Sequence, residues 1–310
     1  SYYGQIVVIP YPLVGNVGFN EKSFASYSAM VKGLVLREAT DFPSHYEMEM
    51  DLISFLNRSE VAVLTEVDTR ALTRVIRHEG SRGGVITDNL NNLEWLREKA
   101  RRASEELQGD LVKYVSRKNV MKFGNGPKKV VLLDLGTKRG VVDSLVRRGC
   151  EVFAVPASTT AGEILNLHPD GVFISDGPGD PAAIGYVIET CRELIGRKPL
   201  FGIGLGHQVL AMAMGADVFR LAFGHRGTNH PVRNLANGRV YITTQNHGFS
   251  IDEDSLKSLG LTVTMRSLND GSVEGIRSET LPVFSVQFDP EGYPGYSETG
   301  FCFDSFVEML

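Results

Sequence analysis

The first place to look for chemistry in this 310-residue chain is an apolar run that breaks into a glycine-studded turn. Residues 199–216 read Pro-Leu-Phe-Gly-Ile-Gly-Leu-Gly-His-Gln-Val-Leu-Ala-Met-Ala-Met-Gly-Ala. The pattern predicts a short strand over residues 200–203, a turn at Gly202, Gly204 and Gly206, and a helix carrying Gln208, Leu210 and Met214. A strand that breaks sharply into a helix lifts one side chain above a sheet, and the helix behind it offers N–H groups to an oxyanion. At the tip of this turn stands Gly204, so the expected reactive atom is missing. The Gly-x-Gly-x-Gly spacing is not the GxGxxG fingerprint of a dinucleotide site either.

The other reactive residue types point to few chemistries. His207, His225, His230 and His247 read as hydrogen-bonding groups at turns; their spacing fits no HxxxH metal pattern, and no metal site is expected. Cys150, Cys191 and Cys302 form no CxxC pair and read as reduced intracellular thiols. A formal net charge of −5 gives no basic face for nucleic acid. No long uncharged apolar run predicts a membrane span, and the opening Ser-Tyr-Tyr-Gly-Gln lacks the basic-then-apolar profile of a signal peptide. The expected location is the cytoplasm.

Hydrophobic residues at 42% and charged residues at 22% suit a globular chain, and the length suits two domains. In the first, strands are expected at residues 5–10, 31–36, 61–64 and 83–87, with helices at 51–57, at 69–77 behind the cap Asp68, and at 93–107. That is a small α+β domain. Residues 117–129 are basic, interrupted by Gly and Pro and without periodicity, which predicts a linker and domains of 1–125 and 126–310. Beyond it the rhythm alternates: apolar strands at 130–134, 151–155, 171–175 and 200–203, and helices at 141–148, 161–167 and 182–195. These βαβ units predict an α/β fold with a doubly wound, largely parallel sheet, ligands lying beyond the carboxyl ends of its strands. β-Hairpins and a closing helix from Phe301 follow.

Asp176-Gly-Pro-Gly-Asp-Pro, Phe201-Gly-Ile-Gly-Leu-Gly-His-Gln and Gln287-Phe-Asp-Pro-Glu together resemble the class I, triad-type glutamine amidotransferases. Within that class, four further motifs are similar to the small-subunit family of carbamoyl phosphate synthetase. They are Phe223-Gly-His-Arg-Gly-Thr-Asn-His-Pro-Val, Thr244-Gln-Asn-His-Gly-Phe, Asp68-Thr-Arg-Ala-Leu-Thr-Arg and Gly15-Asn-Val-Gly. The resemblance spans essentially the whole chain, although the family's opening strands have no counterpart and the C-terminus is short. It implies a subunit that binds glutamine, releases ammonia and passes it to a large ATP-grasp partner. That partner would use ATP, Mg and bicarbonate, with no cofactor in this chain.

In such a family a Cys at the elbow attacks the amide, a His of His-Pro-Glu acts as base and the Glu orients the His; a nearby imidazole makes the thiol a thiolate. Here Gly204 replaces the nucleophile, Asp289 replaces the base and only Glu291 is retained. No histidine follows His247 to stand in as base. Asp289 cannot replace an imidazole near neutral pH unless strongly perturbed, and it has no nucleophile to activate. The resemblance implies a glutamine pocket, whether working or vestigial, made by Ser1, Gly177, Gly179, the Leu205 N–H, Gln208, Asn246, Gly248 and Phe249. Two replacements at the reacting positions point to an amidotransferase-like subunit without glutaminase activity. Two other readings stay open: a working glutaminase subunit seen as an inactive mutant chain, and a stand-alone glutamine-sensing module.

Overall fold

The computed structural model describes all residues except 22, 23, 27, 107 and 293–296. The chain divides into two compact units, Tyr2–Gly109 and Asp110–Leu310, with Ser1 grouped in the second.

In the first unit, β1 (Ile6–Val8), β3 (Gly33–Val35) and β5 (Ala62–Leu64) form a three-stranded parallel sheet in the order β1-β3-β5; β2 (Leu13–Val14) and β4 (Glu38–Ala39) form a second, two-stranded one. Helix α1 (Leu52–Arg58) starts where the Asp51 carboxylate accepts the Ser54 N–H, and its Leu52 and Leu56 pack with Leu34, Leu36 and Val61. Helix α2 (Thr69–Glu79) is capped in the same way by Asp68 and ends at Gly80. Helix α3 (Leu93–Glu106) occupies the expected span up to Leu107, which lies outside the described residues. Residues 83–87, expected as a strand, join no ladder.

The expected boundary near residue 125 moves to Gly109 and Asp110, because residues 117–129 are not a linker. After α4 (Val112–Val115), whose Val112 is fully buried, Arg117 forms an ion pair with Asp134, and β6 (Met121–Phe123) pairs antiparallel with the sheet. The segment's basic charge is spent on packing: the Arg117 guanidinium lies over the Phe123 ring.

From there, strand and helix alternate through β7 (Lys128–Asp134), α5 (Arg139–Arg147), β8 (Cys150–Pro156), α6 (Ala161–Asn166), β9 (Gly171–Ile174), a 3-10 turn at Pro181–Ile184, α7 (Gly185–Leu194), β10 (Leu200–Ile203) and α8 (Leu205–Ala213). The antiparallel half comprises β11 (Val218–Asn234), β12 (Val240–Ile251), β13 (Leu261–Ser267), β14 (Val273–Ser278) and β15 (Val283–Val286), with α9 (Glu253–Leu256) between β12 and β13, and α10 (Phe301–Met309) closes the chain. Ten strands make one sheet in the order β12-β11-β13-β14-β15-β10-β9-β7-β8-β6. The run β15-β10-β9-β7-β8 is parallel and buried on both faces, so Val130 to Leu133 are all fully enclosed. One layer, including Val131, Ile174 and Leu210, packs on one face; the other holds Phe173, Phe201, Phe303 and Phe306. The chain is therefore α/β, as expected, with a mixed sheet. Strand β10 lies between β9 and β15, so the Gly204 turn opens beside the loops that leave those two strands.

Candidate functional site

Gly204 has φ 53° and ψ −115°, a backbone conformation that costs an L-residue strain and glycine almost none. The turn is held on both sides: Gly204 N–H donates to the Val286 carbonyl of β15, and the Gly204 carbonyl accepts from His207 and Gln208. The chain keeps a sharp strand-to-helix turn with no side chain at its tip.

The loop after β9 fills the space in front of it. A Cβ added at Gly204 would overlap Asp176 Oδ1 outright and sit 2.5 Å from its Cγ and 2.9 Å from its Cβ. The same Oδ1 accepts the Leu205 N–H at 2.9 Å. Asp176 itself is pinned from behind, since Ser175 Oγ donates to the Asp176 carbonyl and accepts the Leu135 N–H. Gly177 is needed for close approach: a Cβ there would overlap the Leu135 carbonyl oxygen. Gly179 lies beside Leu111, to which an added Cβ would come within 3.5 Å. Gly177 is thus set by close packing, whereas Gly179 is set by its backbone, whose φ of 101° strains any other residue.

Asp289 forms a largely buried ion pair with Lys138. The Lys138 ammonium, at the start of α5, lies 2.5 Å from Asp289 Oδ2 and 2.9 Å from Glu291 Oε1. Burial opposes the charge on Lys138, but the Asp289 and Glu291 carboxylates outweigh it and raise the lysine pKa. Burial also raises the Asp289 pKa, against the pull of Lys138 and with the repulsion of Glu291 and Asp176. Glu291 Oε2 has no hydrogen-bond partner among the described residues. Ser1 joins this group: the charges acting on its amino end are Asp176, Lys138, Asp289 and Glu291.

Gln208 is buried on α8, where its Nε2 donates to the Phe249 carbonyl and to Gln287 Oε1. Asn246, Gly248 and Phe249 lie within strand β12 rather than on a loop, Asn246 opposite Arg226 and Phe249 opposite Arg220 of β11. The Nδ2 of Asn246 and the Nε2 of Gln287 are buried donors without a partner among the described residues. The expected residues thus fall into three groups: Gly204 and Leu205 with Asp176; Asp289 and Glu291 with Lys138; Gln208 with Phe249 and Gln287. Sequence reasoning gave no role to Lys138, Asp176 or Gln287. Their signal was position, each lying just beyond the carboxyl end of a parallel strand.

The three thiols are held in their protonated form by burial. All are buried, and burial pushes Cys191 and Cys302 up to about 12 and raises Cys150. The histidines are tied into packing. His207 Nδ1 meets Ser285 Oγ at 2.8 Å, and burial drives both His207 and His247 down to about 3. His225, His247 and Glu274 bring possible ligand atoms within 4.8 Å of one another. Most of their polar atoms are engaged in a hydrogen-bonded network: Gln245 Oε1 lies 3.0 Å from both rings, Asp270 holds the far nitrogen of His225, and Gln245 Nε2 donates to Glu274 Oε2, while Glu274 Oε1 has no hydrogen-bond partner among the described residues. Among the described residues no helix is long and apolar enough to cross a membrane.

Comparison with known proteins adds the family. Residues 131–309 match the family description "Glutamine amidotransferase class-I", and residues 1–86 match "Carbamoyl-phosphate synthase small chain, CPSase domain". The chain is 46% identical over 310 residues to the carbamoyl phosphate synthase small chain of Listeria monocytogenes, covering all of this chain and 85% of that one. It is 45% identical over the same length to that of Staphylococcus epidermidis, covering 84% of it. For that of Clostridium acetobutylicum the figures are 40% identity and 88% coverage. A solved structure of a putative GMP synthase subunit from Thermoplasma acidophilum shares the fold, with TM-score 0.51 and 20% identity over 60% of this chain and 95% of that one. With both of its parts matched and its whole length aligned, the chain belongs to the carbamoyl phosphate synthase small-chain family.

Proposed function

We propose that this chain is a carbamoyl phosphate synthase small subunit without glutaminase activity, supporting by assembly or regulation a large subunit that works on free ammonia. The observation that carries the reading is the pair of replacements at the two reacting positions. Gly204 presents no nucleophile, and the position of the base holds Asp289, bound to Lys138. Losing the covalent route removes the reaction and not merely some rate, since nucleophile and base act as a unit. What supports a small-subunit origin for this site is the elbow backbone at Gly204, the Leu205 N–H at the start of α8, and Glu291. ATP, Mg and bicarbonate would be handled by the large ATP-grasp partner, the site of the pathway chemistry that leads toward pyrimidines and arginine.

The test is carbamoyl phosphate formation by the purified complex of this chain with its large subunit. Ammonia is expected to support synthesis and glutamine is not, with glutamate release slower than that of a triad enzyme by about four orders of magnitude or more. Turnover of glutamine at an ordinary amidotransferase rate rejects the reading.

A further inference from the structure

We propose that the Asp176 carboxylate is the resident occupant of the oxyanion position, and that it excludes glutamine from this pocket as a ligand and not only as a substrate. This rests on the reading of the chain as a small subunit without hydrolysis, and goes further by naming the group that closes the site.

Two independent geometric observations converge on one atom. The Leu205 N–H, at the first turn of α8, is the donor that would hold the carbonyl oxygen of an amide under attack. It already donates to Asp176 Oδ1 at 2.9 Å, in a place where Leu205 is 3% and Asp176 8% exposed. Separately, the volume that any side chain at position 204 must pass through is filled by that same oxygen. A carboxylate oxygen carries the charge that an oxyanion would develop, so the pocket is closed by an internal analogue of its own intermediate.

Magnitudes favour the occupant over glutamine. A hydrogen bond from an N–H to an ionised carboxylate is roughly twice as strong as one to a neutral amide carbonyl. A glutamine displacing Asp176 would exchange the stronger bond for the weaker and leave a buried carboxylate without its donor. The Lys138 ammonium is already shared by Asp289 and Glu291. The backbone of Asp176 is held by Ser175 against Leu135, which keeps its Cβ beside the elbow. Nitrogen for a partner synthase must then come from a reaction that yields free ammonia elsewhere, not from amide hydrolysis in this pocket.

The test uses the full chain and Asp176→Ala, with Asp176→Ser as a second opening variant should alanine fail to fold. Calorimetric titration with glutamine is expected to give no saturable heat at millimolar concentration for the unaltered chain and saturable binding for the opened variant. Glutamine binding by the unaltered chain without hydrolysis overturns this proposal and leaves the absence of glutaminase activity standing; hydrolysis by the unaltered chain overturns both. An opened variant that still binds no glutamine also overturns it. A second readout needs no ligand. Gly204→Ala is made in the unaltered and Asp176→Ala backgrounds, so that the backbone strain at residue 204 is common to both and cancels. Its effect on the unfolding equilibrium constant is expected to be at least about tenfold smaller once Asp176 is removed. Strict additivity of the two substitutions overturns the proposal.

Discussion

The decisive residues of this chain do their work by filling space and carrying charge. Gly204 relieves an elbow that would otherwise be strained, and Asp176 takes the room that relief leaves. His207, on the same helix, gives a residue-scale prediction. It is fully enclosed, its Nε2 has no partner, and burial lowers its pKa from 6.5 to about 3. A depressed base binds its proton in the unfolded chain first, so its contribution is complete above about pH 6.5 and is lost as pH falls toward 3. Replacing it by Asn, which keeps a partner for Ser285, is expected to remove one proton from this linkage. Between about pH 6 and 5 the unaltered chain should lose up to about 1.4 kcal/mol more stability than His207→Asn. Denaturant titrations at the two pH values check this, and parallel profiles would reject it. At this scale the sequence was partly legible. That positions 204 and 289 carry neither a thiol nor an imidazole could be read directly, whereas the pairing of Lys138 with Glu291 joins residues 153 apart and leaves no local trace.

Elements were legible in proportion to how apolar they are. Strands β7, β9 and β10 are buried on both faces and read as unbroken apolar runs, and α6 announces itself by the Thr160 and Glu163 capping box. Strand β11 was not expected. Its 17 residues mix glycine, charge and histidine, and its pairing with β12 shifts register twice, so no alternation survives for a reader of the sequence. The segment before β7 was misread for a related reason, since its charges looked like those of a solvated linker. Asp134 explains the outcome: its Oδ2 accepts the Arg117 backbone N–H and Nε, and its Oδ1 accepts the Gly136 and Thr137 N–H groups. Asp134→Ala should therefore cost about 3–5 kcal/mol, by leaving a buried guanidinium and two loop donors uncompensated. Urea denaturation measures the loss, and a value below about 1 kcal/mol would count against that account.

At the scale of the molecule, the two units each possess a core of their own, Leu36 and Leu56 in one, Phe173 and Phe303 in the other. Such a chain should not unfold in a single two-state step. Calorimetry is expected to resolve two transitions, only one of which moves in Asp134→Ala; a single transition with matching calorimetric and van't Hoff enthalpies would refute this. Fold class and the division into two parts were readable from rhythm, and family from motif order. The point of division was not, because it depends on what residues 110–125 touch.

The overlap between position 204 and Asp176 also bears on ancestry and reversal. Suppose that mutation returned a thiol to residue 204 in a chain otherwise like this one. The new side chain would meet Asp176 at once, so the first step back would be selected against for its effect on folding, before any catalytic benefit could be tested. A side chain can enter at residue 204 only once residue 176 gives way, so the first change has to come in a neighbouring loop and not at the elbow itself.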